Sequence, residues 1–173
     1  MSKHLDCRVY VNSHDPAAGP DAPAVACERV DLAAEPAAAH QLIRLGISPR
    51  HDLPAAVLTE PGGKIRLVGL RLSPAEAARL AVGEGLGGAS QVTVYSSAWC
   101  PDCRRAKRVL EEAEARFEEV DIDRDPRAEA EVLERSGGRR VVPTLRLDDR
   151  IWAFNPDPPL LRRLLNGRPA GHS

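Results

Sequence analysis

Residues 92–103 read Val-Thr-Val-Tyr-Ser-Ser-Ala-Trp-Cys-Pro-Asp-Cys, and this segment is the most informative about the fold. Its first four residues predict a short strand, because they are β-branched or aromatic. A helix is predicted from Pro101 by residues recurring at three- and four-residue steps: Cys103, Ala106, Leu110, Ala113 and Phe117. A C-x-x-C placed between a strand and a helix indicates thiol redox chemistry.

The two cysteines of this stretch carry the predicted chemistry. Cys100 lies at the predicted helix N-terminus, where the helix dipole and unpaired backbone N–H groups stabilise a thiolate, the nucleophilic form of the thiol. Pro101 suits the first helical position, because the N–H that it lacks would have no partner there. Cys103, one turn on, is placed to resolve a mixed disulfide formed at Cys100. The alternatives are a buried structural pair and half of a zinc site, which would need two more ligands at short spacing.

The charge balance and the lengths of the apolar runs argue against several classes of function. The chain of 173 residues has 24 Lys and Arg against 25 Asp and Glu, so it offers no basic footprint for nucleic acid or for an anionic membrane. No apolar run approaches the roughly 20 residues of a membrane helix, and the N-terminus has no signal-peptide core. We therefore expect a cytoplasmic protein in a reducing compartment, where C-x-x-C indicates redox chemistry or a metal site.

A glycine-rich stretch at 83–90 predicts a flexible linker between two halves of similar length. The second half, 91–165, shows strand and helix patterns in the order β-α-β-α-β-β-α, and a loose tail follows at 166–173. The first half, 1–82, follows the same order without the first helix, because residues 12–26 are rich in proline and have no helical stripe. We predict an α/β protein of two tandem domains, the first a diverged repeat that lacks its catalytic helix. Two unrelated α/β segments are the alternative.

Several local signals repeat between the halves. Leu53-Pro54 precedes a strand of the first half, as Val142-Pro143 does in the second. Pro36 is predicted to open a helix, as Pro126 does later. Asn155 is predicted to cap the last helix, whose buried stripe is Leu160, Leu161, Leu164 and Leu165.

The sequence around the cysteine pair resembles the glutaredoxins. The resemblance is carried by residues 94–103, VYSSAWCPDC, and by Val-Val-Pro-Thr at 141–144. Ser-Gly-Gly-Arg-Arg at 136–140 and Asn155-Pro156 are most similar to the mycoredoxins, the actinobacterial glutaredoxin-like proteins. The similarity covers roughly residues 91–165 and implies a thioredoxin-like fold there, with a degenerate copy of that fold in the first half.

The resemblance also implies roles for individual residues. Cys100 matches the attacking thiol and Cys103 the resolving thiol. Pro143 matches the proline that is cis in thioredoxin folds, which would direct the backbone N–H and C=O of Val142 at a bound thiol peptide. Asn155 lies where glutaredoxins hold a carboxylate of their low-molecular-weight thiol. The usual Gly-Gly-x-Asp of that region is absent, which argues against glutathione.

Three further side chains flank the predicted site. Arg139 and Arg140 are placed to pair with a substrate carboxylate, and a solvated turn is the alternative. Trp99 resembles the Trp before the thioredoxin nucleophile and is expected to cover one side of the site, with core burial as the alternative. The predicted substrate-binding residues are thus Trp99, Pro101, Arg139, Arg140, Val142, Pro143 and Asn155, and no metal ligand is predicted.

The implied function is that of a thiol–disulfide oxidoreductase in electron transport and cell redox homeostasis. No tightly bound cofactor is expected, and mycothiol, or else glutathione or bacillithiol, would be the co-substrate. Protein disulfides would be the substrates, with the low-molecular-weight thiol or thioredoxin reductase as the electron source. The alternative is a redox-sensing adaptor, in which the first half binds a partner under control of the Cys100–Cys103 pair.

Two cysteines, Cys7 and Cys27, lie outside the C-x-x-C. They fall at the starts of two strands that would be neighbours in a thioredoxin-like sheet. We predict that they are buried free thiols, and a second redox pair is the alternative.

Overall fold

Eight strands and five helices make up the part of the chain that the computed structural model describes, residues 5–14, 27–87 and 91–166. The first half contains β1 (Asp6–Val11), β2 (Cys27–Asp31), α1 (Ala38–Arg44), β3 (Ala55–Thr59), β4 (Ile65–Gly69) and α2 (Pro74–Ala81). The second half contains β5 (Val92–Ser96), α3 (Pro101–Glu112), β6 (Phe117–Asp121), α4 (Pro126–Arg135), β7 (Thr144–Leu147), β8 (Ile151–Phe154) and α5 (Pro158–Leu165). None of the described helices is long and apolar enough to span a bilayer.

One sheet contains all eight strands, in the order β2-β1-β3-β4-β8-β7-β5-β6. In each half, the first two strands pair in parallel and the other neighbours pair antiparallel. The halves meet where β4 pairs antiparallel with β8, with Val68 opposite Trp152. We call this β4–β8 pairing the seam, and the sheet is continuous across it.

Two hydrophobic cores lie on the two faces of the sheet, and each includes residues of both halves. The first core lies under α2, α3 and α5 and includes the fully buried Leu58, Leu67 and Leu145. The second lies under α1 and α4 and includes Trp152 and Phe154. Burying one such side chain stabilises the fold by roughly 1.5–3 kcal/mol. Because both cores cross the seam, separating the halves would expose apolar surface on each.

A similar hydrogen bond occurs within each half, between its first strand and a covering helix. The Tyr10 hydroxyl in β1 donates a hydrogen bond to the Gln41 side chain of α1 at 3.3 Å. In the same way, the Tyr95 hydroxyl in β5 donates one to Glu131 of α4 at 2.8 Å. Burial, followed by the bond to Glu131, raises the pKa of Tyr95 above its usual value. Each tyrosine therefore links the first strand of its half to the covering helix.

Two prolines occupy matching places in the halves. The Leu53-Pro54 bond before β3 and the Val142-Pro143 bond before β7 are both cis. The prediction that Pro143 is cis is therefore confirmed.

Two helices begin later than predicted. The last helix buries its predicted leucine stripe, but its N-cap is Asp157 rather than Asn155. The Asp157 carboxylate accepts the Leu160 N–H at 2.8 Å, and Pro158 favours the first helical position. α1 begins at Ala38 rather than at Pro36, because the preceding residues form hydrogen bonds three residues apart, in the manner of a turn.

Cys7 and Cys27 form a disulfide, so the prediction of free thiols at these positions is wrong. The parallel register of β1 and β2 puts the two residues opposite each other, with 4.5 Å between their Cα atoms. That separation suits a disulfide. The sequence placed the two cysteines on neighbouring strands but did not supply the register. Cys7 is buried, as predicted.

The predicted linker packs against α5 where the structure describes it. The Gly85 N–H donates to the Arg163 carbonyl oxygen at 3.2 Å, and a side chain at Gly85 would collide with the Leu164 carbonyl. Leu86 packs against the first core. Residues 88–90 and 167–173 lie outside the described residues. So do residues 15–26, where the predicted lack of a first helix falls.

Candidate active site

Three chain segments meet at one end of the interior strands β5, β7 and β8. They bring predicted site residues together. β5 ends at Ser96 and leads to the cysteine pair. Pro143 comes just before Thr144, which is paired with Tyr95 of β5. Asn155 follows β8, and its N–H donates to the Pro143 carbonyl oxygen at 2.8 Å. The loop before Cys100, Pro143 and Asn155 therefore lie side by side.

The cysteine pair occupies the start of α3. Cys100 is the N-cap, and Pro101 takes the first helical position, as predicted. A disulfide joins Cys100 to Cys103, and the Cys103 N–H points at the Cys100 sulfur, with 2.9 Å between nitrogen and sulfur. Cys103 is 1% exposed, whereas Cys100 is only partly buried. An approaching substrate therefore reaches Cys100 first.

One of the two residues between the cysteines, Asp102, forms an ion pair within α3. The Asp102 carboxylate meets the Arg105 guanidinium at 3.1 Å, one turn further along α3. Both side chains are largely solvated, so the pair contributes at most about 1 kcal/mol to stability. Its consequence is electrostatic, because Arg105 partly neutralises the carboxylate beside Cys100.

A second carboxylate is fixed on the β6 side of the site. Glu119 accepts a hydrogen bond from Lys107 at 2.8 Å and one from the Ser96 hydroxyl at 2.7 Å. These bonds, the one from Lys107 first, lower the pKa of Glu119 below its usual value. Lys107 is therefore engaged by an ionised carboxylate and ties α3 to the neighbouring strand.

A cleft of about 160 Å³ opens beside the first turn of α3. Its walls adjoin the cysteine pair but include neither Cys100 nor Cys103, and we call it the active-site cleft for this position. α3 contributes Asp102 and Arg105, and the β8–α5 loop contributes Asn155 and Asp157. The remaining charged residue is Arg66, which comes from β4 in the first half. The cleft is therefore built by both halves of the chain. Substrate contact by Asn155 stays a prediction.

Arg139 reaches across the seam. Its guanidinium donates to the Ile65 carbonyl oxygen of β4 at 2.7 Å. Burial, followed by the positive charge of Arg66, lowers the pKa of Arg139 from its usual value. Because it is partly buried and bonded to the residue before Arg66, Arg139 is not a solvated turn residue. Its contact with a substrate carboxylate stays a prediction.

Arg140 and Trp99, two other predicted substrate-binding residues, differ in solvent exposure and in whether they form ion pairs. Arg140 pairs with Glu129 at 2.8 Å and also with Asp123, so its guanidinium has two partners within the chain. Trp99 is 90% exposed, next to Cys100 in the chain, rather than buried in the core. Such a large exposed aromatic surface is available to a macromolecular partner.

Known proteins are similar to this chain over the segment that contains the cysteine pair. The glutaredoxin family model matches residues 92–152, which include the cysteine pair and Pro143. Mycoredoxin 1 of Corynebacterium glutamicum is 39% identical over 67 residues, which are 39% of this chain and 82% of that protein. The chain belongs to the glutaredoxin family. Within it, the chain is close to the mycoredoxin-like proteins.

Other relatives cover a similar length. The glutaredoxin-like protein NrdH of Escherichia coli is 36% identical over 84 residues, which are 48% of this chain and 95% of that protein. A solved structure of NrdH-redoxin from Escherichia coli is 33% identical, with a TM-score of 0.37, and covers 47% of this chain and 99% of that chain. The glutaredoxin family model begins at residue 92, so β1 to α2 lie outside its match.

Arg66 lines the cleft but is not among the site residues predicted from the sequence. In the sequence it is one arginine inside a short apolar stretch of the first half, and no motif surrounds it. Its place in the cleft depends on the seam and on a local irregularity of β4. Neither carries a sequence signal, since both follow from strand register.

Proposed function

We propose that this glutaredoxin-family protein is a dithiol oxidoreductase that reduces disulfides through Cys100. The observation that carries the proposal is the unequal exposure of the two cysteines. Cys100 is reachable at the start of α3, while Cys103 is 1% exposed behind it. A helix N-terminus stabilises a thiolate, so Cys100 suits the attacking role and Cys103 suits intramolecular resolution.

The proposed reaction runs in two exchange steps. The Cys100 thiolate attacks one sulfur of the substrate disulfide, forms a mixed disulfide and releases the other sulfur as a thiolate. The Cys103 thiolate then attacks the Cys100 sulfur and releases the second substrate thiolate. Two electrons pass from the protein to the substrate, and the protein is left with the Cys100–Cys103 disulfide that this structure contains.

We further propose that a low-molecular-weight thiol regenerates the dithiol form in a reducing cytoplasm. Mycothiol comes first, because the chain is similar to a protein named Mycoredoxin 1. Glutathione and bacillithiol are the other candidates, and thioredoxin reductase is the alternative electron source. Protein disulfides are the proposed substrates, and the exposed Trp99 is the surface that supports this choice.

The first half is proposed to be a second, diverged thioredoxin-like domain. Its strand pairing, its cis proline at Pro54 and its tyrosine contact beneath α1 support this assignment. Its disulfide is not a relic of an active site. Cys7 faces Cys27 at the start of β1, as Val92 faces Phe117 at the start of β5, whereas the active cysteines follow the end of β5.

Single-turnover reduction tests the proposed function. The fully reduced wild type, Cys100→Ser and Cys103→Ser are each mixed with a protein disulfide and with a mixed disulfide between a protein and a low-molecular-weight thiol, and release of the fully reduced substrate protein is followed. The wild type should reduce both, Cys100→Ser neither, and Cys103→Ser the mixed disulfide alone. Full activity of Cys100→Ser would contradict the proposal and leave the adaptor hypothesis as the better one.

A further inference from the structure

Arg66 is the extra residue of a β-bulge in β4. Leu58 of β3 is opposite Leu67, but the next residue, Thr59, is opposite Ile65, so Arg66 has no partner in β3. Residues two apart on a regular strand share a face. Ile65 and Leu67 instead belong to the cores on opposite faces. The bulge thus breaks the alternation and turns Arg66 towards the active-site cleft, a use of bulges that is common beside active sites.

The chain holds the Arg66 guanidinium in place at the cleft wall. One terminal nitrogen donates to the Phe154 carbonyl oxygen at 3.2 Å, immediately before Asn155. Its Nε meets the Glu60 carboxylate at 3.2 Å. The side chain is 16% exposed, so it is ordered but still accessible from the cleft. An arginine that is already ordered loses little further conformational entropy when it binds a ligand.

The two carboxylates of the cleft already have partners within the chain. Asp102 pairs with Arg105, and Asp157 accepts the Leu160 N–H at the N-terminus of α5. Their charges are therefore largely compensated by an arginine and by a helix end.

The charges around Arg66 are balanced differently. Arg66 pairs with Glu60, and Arg139, which donates to the carbonyl oxygen of the preceding residue Ile65, brings a second guanidinium to the same part of β4. These two guanidiniums favour a positive local potential in a partly desolvated place. An anionic group of a ligand would be stabilised there, and a cationic group would be repelled.

We propose that Arg66 is a specificity-determining residue that binds a carboxylate of the disulfide substrate held at Cys100. The proposal rests on the function proposed above and gives the first half a direct part in substrate recognition. A carboxylate is the fitting group, because arginine presents N–H donors in a planar fork that matches its two oxygens. The N-terminus of α3 also faces the cleft and favours the same sign of charge.

Three small disulfides of similar length and different charge test the proposal. Dithiodipropionate carries carboxylates, hydroxyethyl disulfide is neutral, and cystamine carries ammonium groups. The reduced protein is mixed with each, and the second-order rate constant for forming the Cys100–Cys103 disulfide is measured by rapid acid quench, alkylation and mass spectrometry. Each rate constant is divided by that of the same disulfide with free dithiothreitol, which corrects for the different leaving thiols. On this scale the wild type should favour dithiodipropionate over cystamine.

Arg66→Gln should slow the reaction with dithiodipropionate by about tenfold, the loss expected for one hydrogen-bonded charge pair, and leave the reaction with hydroxyethyl disulfide unchanged. Arg8→Gln is the matched control, since it removes an arginine of the first half that pairs with Glu28 outside the cleft. This control should change none of the three rate constants.

A second variant acts in the opposite direction. Glu60→Gln removes the carboxylate that Arg66 already meets, so it should accelerate the reaction with dithiodipropionate and not the reaction with hydroxyethyl disulfide. This variant keeps the test decisive if Arg66→Gln does not fold.

Two outcomes would overturn the assignment of Arg66. One is an equal slowing of all three disulfides by Arg66→Gln, which indicates a structural role. The other is an unchanged rate with dithiodipropionate in both variants. A wild type that reduces none of the three disulfides contradicts the proposed function itself, and the role of Arg66 falls with it.

Discussion

The guanidinium of Arg150, in the turn between β7 and β8, forms two hydrogen bonds with the Glu76 carboxylate of α2, at 3.1 and 2.9 Å. This two-point contact ties the helix of the first half to the second half, beyond the end of the seam at which Gly69 is opposite Ile151. Both side chains are about 30% exposed or less, so water screens the pair only in part. The bonds from Arg150 lower the pKa of Glu76 below its usual value.

Glu76→Gln should therefore destabilise the protein in a pH-dependent way. The pKa of Glu76 is lower in the folded than in the unfolded state, so the ionised group stabilises the fold above the unfolded pKa of about 4.5. That contribution is lost as the pH falls through the folded pKa. We expect a loss of about 1–2 kcal/mol in the free energy of unfolding at neutral pH, and little loss at acid pH. Urea unfolding over a pH series measures both.

A control for this prediction is Glu28→Gln, because the Glu28–Arg8 pair is more than half exposed. Such a pair contributes little, and its removal should change the free energy of unfolding by less than about 1 kcal/mol. A Glu76→Gln difference that stays constant down to acid pH would show that ionisation of Glu76 is not what stabilises the fold.

Replacing both Cys7 and Cys27 by Ser should lower stability without lowering activity. Their disulfide joins residues 20 positions apart. Closing a loop of that size raises the free energy of unfolding by about 3 kcal/mol, because it restricts the unfolded chain. The cysteines lie at the starts of β1 and β2, away from the active-site cleft. Urea unfolding and single-turnover kinetics of the double variant check the two halves of the prediction. Unchanged stability, or a large loss of disulfide reduction, would contradict it.

Trp99→Ala should affect large substrates more than small ones. Trp99 is 90% exposed, so its removal should leave the free energy of unfolding unchanged. If Trp99 contacts protein substrates beside Cys100, its loss should slow protein-disulfide reduction by about tenfold, as expected for an aromatic interface residue. Reduction of hydroxyethyl disulfide should be unchanged. Equal rates for the protein disulfide in the wild type and the variant would rule out this contact.

Features that depend on neighbouring residues were predictable from the sequence. The spacing of apolar residues predicted α3 and the buried leucine stripe of α5. The cysteine pair belongs to this group, because Cys100, Pro101 and Cys103 all lie within one helical turn. The cis state of Pro143 was predictable through family resemblance alone.

Features that depend on strand register were not predictable in this way. The Cys7–Cys27 disulfide requires the two strands to pair without offset, and a shift by one residue would turn one cysteine to the other face. The bulge at Arg66 is a shift of register between β3 and β4, and the seam between β4 and β8 joins positions that are far apart in the chain. Their free energy comes from non-local packing, which leaves no local sequence pattern.

The most direct test of the central claim is the mass of the trapped mixed disulfide. Cys103→Ser and Cys100→Ser are prepared with Cys7 and Cys27 also replaced by Ser, so that each protein has one thiol, and both are mixed with hydroxyethyl disulfide. We expect the Cys103→Ser protein to gain one mercaptoethanol rapidly, mapped to Cys100, while the Cys100→Ser protein stays unmodified on the same timescale. Equal or faster modification of Cys103 in the Cys100→Ser protein would show that Cys100 is not the attacking thiol.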